Sequence, residues 1–156
     1  MLALLLAACA SFYPRQTGCV SAVVLRRFPS SEELGRYPLA KDGRFSLSFI
    51  HSVSTTPVRD NYRVEGDTII QTSETFEAHG AGLPSMFGEP GATDWEQRDG
   101  KFILHMQRPI DRLIVRTDRR YHNRLHLHDT EIDLNQWEDQ ALEVIIEPSQ
   151  VQYVPK

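Results

Sequence analysis

Two alternating strand patterns joined by a tight turn constrain the fold of this chain more than any other feature. Val58–Glu65 and Thr68–Phe76 each alternate apolar with polar side chains, and they flank the dipeptide Gly66-Asp67. A two-residue connection of this kind is typical of a β-hairpin, because glycine readily adopts the positive φ that the turn requires. The sequence therefore predicts an antiparallel hairpin whose register is set by its turn.

That turn also predicts which side chains lie opposite each other. A two-residue loop places Arg59 opposite Glu74, a cross-strand ion pair worth about 0.2–1 kcal/mol. The same register places Asp60 on the apolar side of the ribbon, where a carboxylate must be paired or lie near the rim. The other expected pairs are Val64 with Ile69, Arg63 with Ile70, Tyr62 with Gln71, and Asp60 with Ser73.

Short strand patterns recur along the rest of the chain. Pro29–Gly35 is expected to be a loop with one helical turn, since Ser30 and Glu33 have capping-box spacing, and the Gly/Pro-rich segment Ser85–Asp99 is expected to be a surface loop. Many short strands with little helix predict an all-β fold, either an antiparallel β-sandwich or a partly open barrel built from hairpins. The further predicted strands are Cys19–Leu25, Gly43–Ser52, Lys101–Met106, Arg112–Thr117, Arg124–His128, Glu131–Leu134 and Leu142–Glu147.

Length and charge narrow the class of protein. A chain of 156 residues fits one domain with a sizeable core, and we assign residues 1–18 to a leader and linker and residues 19–156 to a single β domain. The net charge of −4 and the scattered arginines argue against a nucleic-acid partner. No apolar run is long enough for a transmembrane helix.

The first ten residues carry information about location. Met1–Ala10 is apolar and ends in small residues, and Leu6-Ala7-Ala8-Cys9 resembles the lipobox of bacterial lipoproteins. This pattern predicts export, acylation of Cys9 and a membrane-tethered domain that faces the periplasm. An ordinary signal peptide begins with positively charged residues, but none precedes Cys9 in this chain. The position of the start codon and the acylation of Cys9 therefore stay open. Cys19 would then have no disulfide partner.

A pair of histidines suggests metal chemistry. If a loop at residues 129–130 connects the last hairpin, His128 faces Glu131 and His126 faces Asp133. Histidines at i and i+2 of a strand point the same way, and carboxylates beside them can complete a metal site. The competing interpretation is a solvated strand face on which histidines and acids pair. A metal-binding protein or metal-dependent enzyme using His126, His128 and Asp133 is therefore the alternative function.

The remaining candidates lie near the first hairpin. His51 ends an apolar strand face, and His79 precedes a glycine-rich loop whose backbone N–H groups could converge on an anion. No serine-hydrolase elbow or nucleotide-loop context is present, so we expect no catalytic residue and no cofactor. The candidate binding residues are His51, Arg59, Tyr62, His79, Gly80, Gly82 and Leu83.

Three ordered motifs resemble a known bacterial family. His51-Ser52-Val53 followed by Pro57, then Tyr62–Gly66, then Gly80–Pro84, are similar to segments of the domain of unknown function 1850 family. Many members are encoded beside TRAP-type transporters of the TAXI class, which implies an envelope protein accessory to solute uptake and brings no established activity. His79 stands where an aromatic residue commonly precedes the last motif.

Residues and resemblance together favour a binding function over catalysis. We expect an exported, lipid-anchored accessory or binding module of the bacterial envelope, possible partners being a transporter or another envelope protein. The motif surface would lie at the end of the hairpin, around His51, Arg59, Tyr62 and the loop Gly80–Pro84.

Overall fold

The structure is a computed structural model that describes residues 20–78, 82–84, 88–137 and 139–149. Within these ranges the chain forms β-strands and two short 3₁₀ helices, at Arg119–Tyr121 and Leu134–Trp137. No helix in this part of the chain is long and apolar enough to cross a membrane. The strands are β1 Val20–Phe28, β2 Glu33–Pro38, β3 Arg44–Ile50, β4 Pro57–Glu65, β5 Thr68–Phe76, β6 Ala92–Arg98, β7 Lys101–Ile110, β8 Leu113–Arg116, β9 Arg124–Leu127, β10 Thr130–Asp133 and β11 Ala141–Ser149.

The strands form two antiparallel sheets. A four-stranded sheet has the order β2-β1-β11-β8, and a seven-stranded sheet has the order β10-β9-β3-β4-β5-β7-β6. Neither closes into a barrel, so the all-β prediction is confirmed in its sandwich form. The first and last strands of the described chain pair with each other, which ties β1 to β11 along its whole length.

The core lies between the sheets. Val23 and Leu25 from β1 meet Leu47 from β3 and Leu125 from β9 in one cluster, and the four side chains are at most 5 % exposed. Burying such side chains contributes roughly 1.5–3 kcal/mol each. A second, smaller cluster joins Val58, Phe76 and Leu83 further along the large sheet.

Two segments that the sequence predicts as loops contain strands. Pro29–Gly35 is not a loop with a helical turn, because β2 begins at Glu33 and pairs with β1 across a β-bulge after Leu25. Ser85–Asp99 is not entirely a loop either, since it contains β6. On β6, Trp95 faces the interior and its ring packs edge-on against the ring of Phe76, with 5.7 Å between the ring centroids.

The first hairpin is confirmed, but a bulge changes half of its register. Tyr62 faces Gln71, as predicted, and the register then shifts so that Asn61 faces Ser73. Thr72 is the extra residue, and its hydroxyl donates a hydrogen bond to the Asn61 carbonyl at 3.1 Å. Beyond the bulge, Asp60 lies opposite Glu74 rather than Ser73.

The predicted ion pair between Arg59 and Glu74 is therefore wrong. Arg59 lies opposite Thr75 and points to the other face of the sheet, where its Nε and one Nη donate to Ser46 Oγ at 3.0 and 2.9 Å.

The register of the second hairpin also differs from the prediction. His128 and Asp129 form its turn, so that His126 lies opposite Glu131 and Arg124 opposite Asp133. The shift moves each partner by two positions, which preserves the alternation of faces. Leu125 and Ile132 are consequently buried as expected, whereas the polar pairs change.

Candidate functional site

A cleft opens between the two sheets where β8 lies over β3 and β4. Its volume is about 320 Å³, within the range of small-molecule sites. The walls are largely apolar, with Leu47, Leu113 and Val115 among them. Polar residues from both sheets and the connecting loops also line the cleft: Ser48, His51, Ser52, Asp60, Tyr62, Arg116, Tyr121, Asn123 and Arg124.

His51 is held in one orientation at the end of β3. The chain turns back directly after it, with Thr55 N donating to the His51 carbonyl and His51 N donating to the Thr56 carbonyl, both at 2.9 Å. The imidazole Nδ1 accepts a hydrogen bond from Ser54 N at 3.2 Å. An acceptor Nδ1 places the proton of the neutral ring on Nε2, so Nε2 is a hydrogen-bond donor.

Gly82, in the last of the three motifs, approaches the Nε2 side of that imidazole. A Cβ added to Gly82 would lie 3.9 Å from His51 Nε2, and Gly82 has a φ of +90°, which disfavours any other residue. The neighbouring Leu83 is 9 % exposed and packs with Val58 and Phe76. Leu83 is therefore a core residue that holds its neighbour Gly82 beside His51.

Two carboxylates face each other on the interior side of the large sheet. Asp60 and Glu74 occupy opposite positions on β4 and β5. Burial raises the pKa of Asp60 to about 6. Burial, together with the negative charge of Asp60, raises the pKa of Glu74 to about 7. Because both pKa values are raised, the two carboxyl groups bind protons at slightly acidic pH, where ordinary carboxyl groups are ionised.

A series of hydrogen-bonded polar side chains holds Asp60 in place at the cleft. Gln71 donates to Asp60 Oδ1 at 3.0 Å and accepts from Arg108 Nε at 3.0 Å. Burial, and then the negative charge of Asp60, raise the pKa of the Tyr62 phenol. Because these groups lie on one face of three adjacent strands, they form a connected network that fixes the Asp60 carboxyl at the cleft.

The candidate residues from the sequence are thus divided between two faces. His51 and Tyr62 share the cleft, Gly82 borders His51, and Leu83 supports the loop. Arg59 lies on the opposite, outer face of the large sheet. His79 and Gly80 lie outside the described residues, as do the leader, Cys9 and Cys19.

The predicted metal ligands are not brought together. His126 Nδ1 lies 3.2 Å from Glu131, His128 stands in the turn beside Asp129, and Asp133 pairs with Arg124. Among the described residues, no group of three or more histidine, cysteine, aspartate or glutamate side chains could hold a metal ion.

Comparison with known families agrees with the ordered motifs. The model of a family described as domain of unknown function (DUF1850) matches residues 45–134, more than half of the chain. The chain belongs to this family. No curated protein and no solved structure matches it.

The part of the chain that DUF1850 covers contains most of the site. It begins at Phe45 in β3 and ends at Leu134 after β10, so it includes the cleft walls from β3, β4 and β8 and both carboxylates. Strands β1, β2 and β11 lie outside the matched range.

Sequence reasoning did not identify Glu74 and Arg108 as part of this site. The predicted register placed Glu74 opposite Arg59, away from Asp60. Arg108 lay between the predicted strands Lys101–Met106 and Arg112–Thr117, whereas β7 continues to Ile110. The signal that points to the network is Asp60 itself, a carboxylate at an apolar position of a strand. Such a position requires polar partners on the neighbouring strands.

Proposed function

We propose that this DUF1850 protein is a noncatalytic binding module whose ligand occupies the cleft between the sheets. The observation that carries the proposal is the convergence of a fixed donor, His51 Nε2, and a fixed carboxyl group, Asp60, on a cavity with largely apolar walls. Apolar cavities with a few oriented polar groups are the usual form of small-molecule sites.

The chemistry of the walls limits the ligand. A volume of about 320 Å³ suits a small organic molecule. His51 offers a donor, so the ligand needs an acceptor at that end. Arg116 lines the cleft and can add positive charge there, whereas Arg124, the other arginine of the lining, is paired with Asp133 and Glu131. A small carboxylic acid with an aliphatic or aromatic body satisfies these requirements.

The place of action is a second part of the proposal. The lipobox-like segment ending at Cys9 supports an exported protein that is tethered to the membrane by an acyl chain and faces the periplasm. The resemblance to proteins encoded beside TRAP-type transporters supports a role in solute uptake. Affinity purification from membranes tests this role: the expected result is recovery of a transporter subunit, and recovery of no envelope protein would contradict it.

Ligand binding is tested by narrowing the cleft. A panel of small aliphatic and aromatic carboxylic acids, with their amides, is screened by thermal shift against the wild type and Val115→Phe. Val115 lines the cleft, and the larger ring should abolish stabilisation by every hit. The matched control is Val53→Phe, because Val53 is 65 % exposed and outside the cleft. Hits that stabilise Val115→Phe as much as the wild type would contradict the cleft as the site.

A further inference from the structure

The outer face of the large sheet carries a second polar depression, which the proposed function does not use. We call it the outer groove; its volume is about 450 Å³. It lies across the strands on the side opposite the cleft, and its lining includes Arg59, His126 and His105. None of its lining residues that the structure describes is an aspartate or a glutamate, in a chain whose net charge is −4.

A row of hydrogen-bonding side chains runs across the floor of the outer groove. His126, Ser46, Asn61, Ser73 and His105 occupy successive opposite positions on five neighbouring strands, from β9 to β7. Asn61 Nδ2 donates to Ser73 Oγ at 3.0 Å within this row. At about 4.8 Å between strands, the row is about 19 Å long. A ligand that follows it must be elongated and rich in hydroxyl or other polar groups.

Three arginines surround this row on two strands. Arg44 and Arg63 lie directly opposite each other on β3 and β4, an arrangement of like charges that destabilises a sheet. Arg59 stands four residues from Arg63 on the same strand, about 13 Å away along the backbone. Arg59 and Arg44 have no carboxylate within ion-pair distance among the described residues, whereas Arg63 pairs with Glu65.

Two hydroxyl groups of β3 are hydrogen-bonded to basic side chains of the outer groove. Arg59 donates twice to Ser46 Oγ, and His126 Nε2 lies 2.7 Å from Ser48 Oγ on the same strand. Burial and the neighbouring Arg59 lower the pKa of His126, even though Glu131 lies 3.2 Å from its Nδ1. An anion bound between Arg59 and His126 would offset this repulsion.

We propose that the outer groove binds a linear acidic oligosaccharide, with carboxylate groups at the arginines and hydroxyl groups along the row of Ser, Asn and His side chains. Hydroxyl groups are donors and acceptors at once and suit the mixed row. Arginine suits carboxylates through paired N–H donors. Single-stranded nucleic acid is disfavoured because it requires exposed rings for stacking. The two aromatic side chains of the lining, Phe45 and Tyr62, are buried and stack on each other at 5.0 Å.

The test measures binding of trigalacturonate by calorimetry to the wild type, Arg59→Gln and Arg98→Gln. Arg98 is exposed on β6, beyond the groove lining, and its replacement changes the net charge equally. We expect Arg59→Gln to weaken binding at least tenfold and Arg98→Gln to leave it within twofold. Equal losses in both variants, or no binding to the wild type, would overturn the proposal.

Two further arms fix the class of ligand. Neutral galactotriose should bind at least tenfold more weakly than trigalacturonate, because it offers nothing to the arginines. Binding of inorganic phosphate, anionic lipid vesicles or a short oligonucleotide as tightly as trigalacturonate would overturn the assignment to an acidic oligosaccharide.

An NMR readout separates the groove from the cleft. Trigalacturonate should raise the pKa of His126 and shift its ring signals while the His51 signals stay unchanged. A shift at His51 alone would place the sugar in the cleft and overturn this proposal without affecting the proposed function. Thermal unfolding of Arg59→Gln verifies that the variant is folded, and the wild-type NMR result stands without it.

Discussion

Replacing Glu74 by glutamine should stabilise the protein at alkaline pH and leave it nearly unchanged at pH 4.5. In the native state the pKa of Glu74 is raised from its ordinary value of 4.5 to about 7, chiefly by burial and then by Asp60. A raised carboxyl pKa means that the native state holds more protons than the unfolded chain across that window. This contribution to the free energy of unfolding therefore falls as the pH rises from about 4.5 to about 7.

The size of the effect follows from the same shift in the pKa of Glu74. At about 1.4 kcal/mol per pKa unit, a change from 4.5 to about 7 sets a ceiling of about 3.4 kcal/mol. Glu74 is only partly buried and shares its repulsion with Asp60, so we expect about 1–2 kcal/mol of stabilisation at pH 8. At pH 4.5 the difference should be below about 0.5 kcal/mol, since the native carboxyl is already neutral.

Urea unfolding of the wild type and Glu74→Gln at the two pH values measures this difference. The control is Asp67→Asn, which removes an exposed carboxylate in the hairpin turn and should show no such pH-dependent gain. If Glu74→Gln is destabilised at pH 8, or gains equally at both pH values, the opposition of Glu74 and Asp60 on the interior face is refuted.

Three further predictions concern the fold and the anchor. Leu125→Ala should lower the free energy of unfolding by about 2–5 kcal/mol in urea titrations, because Leu125 is fully buried between the sheets; a loss below 1 kcal/mol would count against its place in the core. Gly91→Ala should destabilise by more than about 1 kcal/mol, since Gly91 has a φ of +78° and an added Cβ would lie 2.9 Å from the Gln107 carbonyl oxygen; Gly100→Ala has the same backbone strain without the contact and should cost less. Intact mass of the membrane fraction should show an acylated Cys9 that Cys9→Ser abolishes, and an unmodified soluble wild type would refute the anchor.

The sequence is sufficient to predict the hairpin at the centre of the large sheet, and the reason is local. Gly66-Asp67 fixes the turn, so the pairs from Val64 with Ile69 to Tyr62 with Gln71 follow. The bulge at Thr72 has no such local signal, because any residue can be the extra one. Every pair beyond the bulge is shifted by one residue, so that Thr75, and not the predicted Glu74, lies opposite Arg59.

The second hairpin shows why faces are easier to predict than partners. Alternation places Leu125 and Ile132 inside whether the turn lies at residues 128–129 or 129–130. Partners depend on the turn itself, so His126 meets Glu131 rather than Asp133. The metal hypothesis depended on partners, whereas the sandwich prediction depended only on faces.

The candidate site was predictable only in part for a related reason. His51 was expected to end an apolar strand face and Tyr62 to lie near it at the end of the hairpin, and both residues line the cleft. The opposite wall comes from β8, whose position in the other sheet depends on long-range pairing with β11. A pattern within one strand carries no information about that pairing.

The central claim is that the cleft at His51 binds a small acid, and the NMR spectrum of the His51 ring tests it most directly. Titration with a hit from the carboxylic-acid panel should shift the Nε2 signal of His51 in a saturable way, with no such shift in Val115→Phe. The claim is contradicted if the hit binds while the His51 ring signals stay where they are in the free protein.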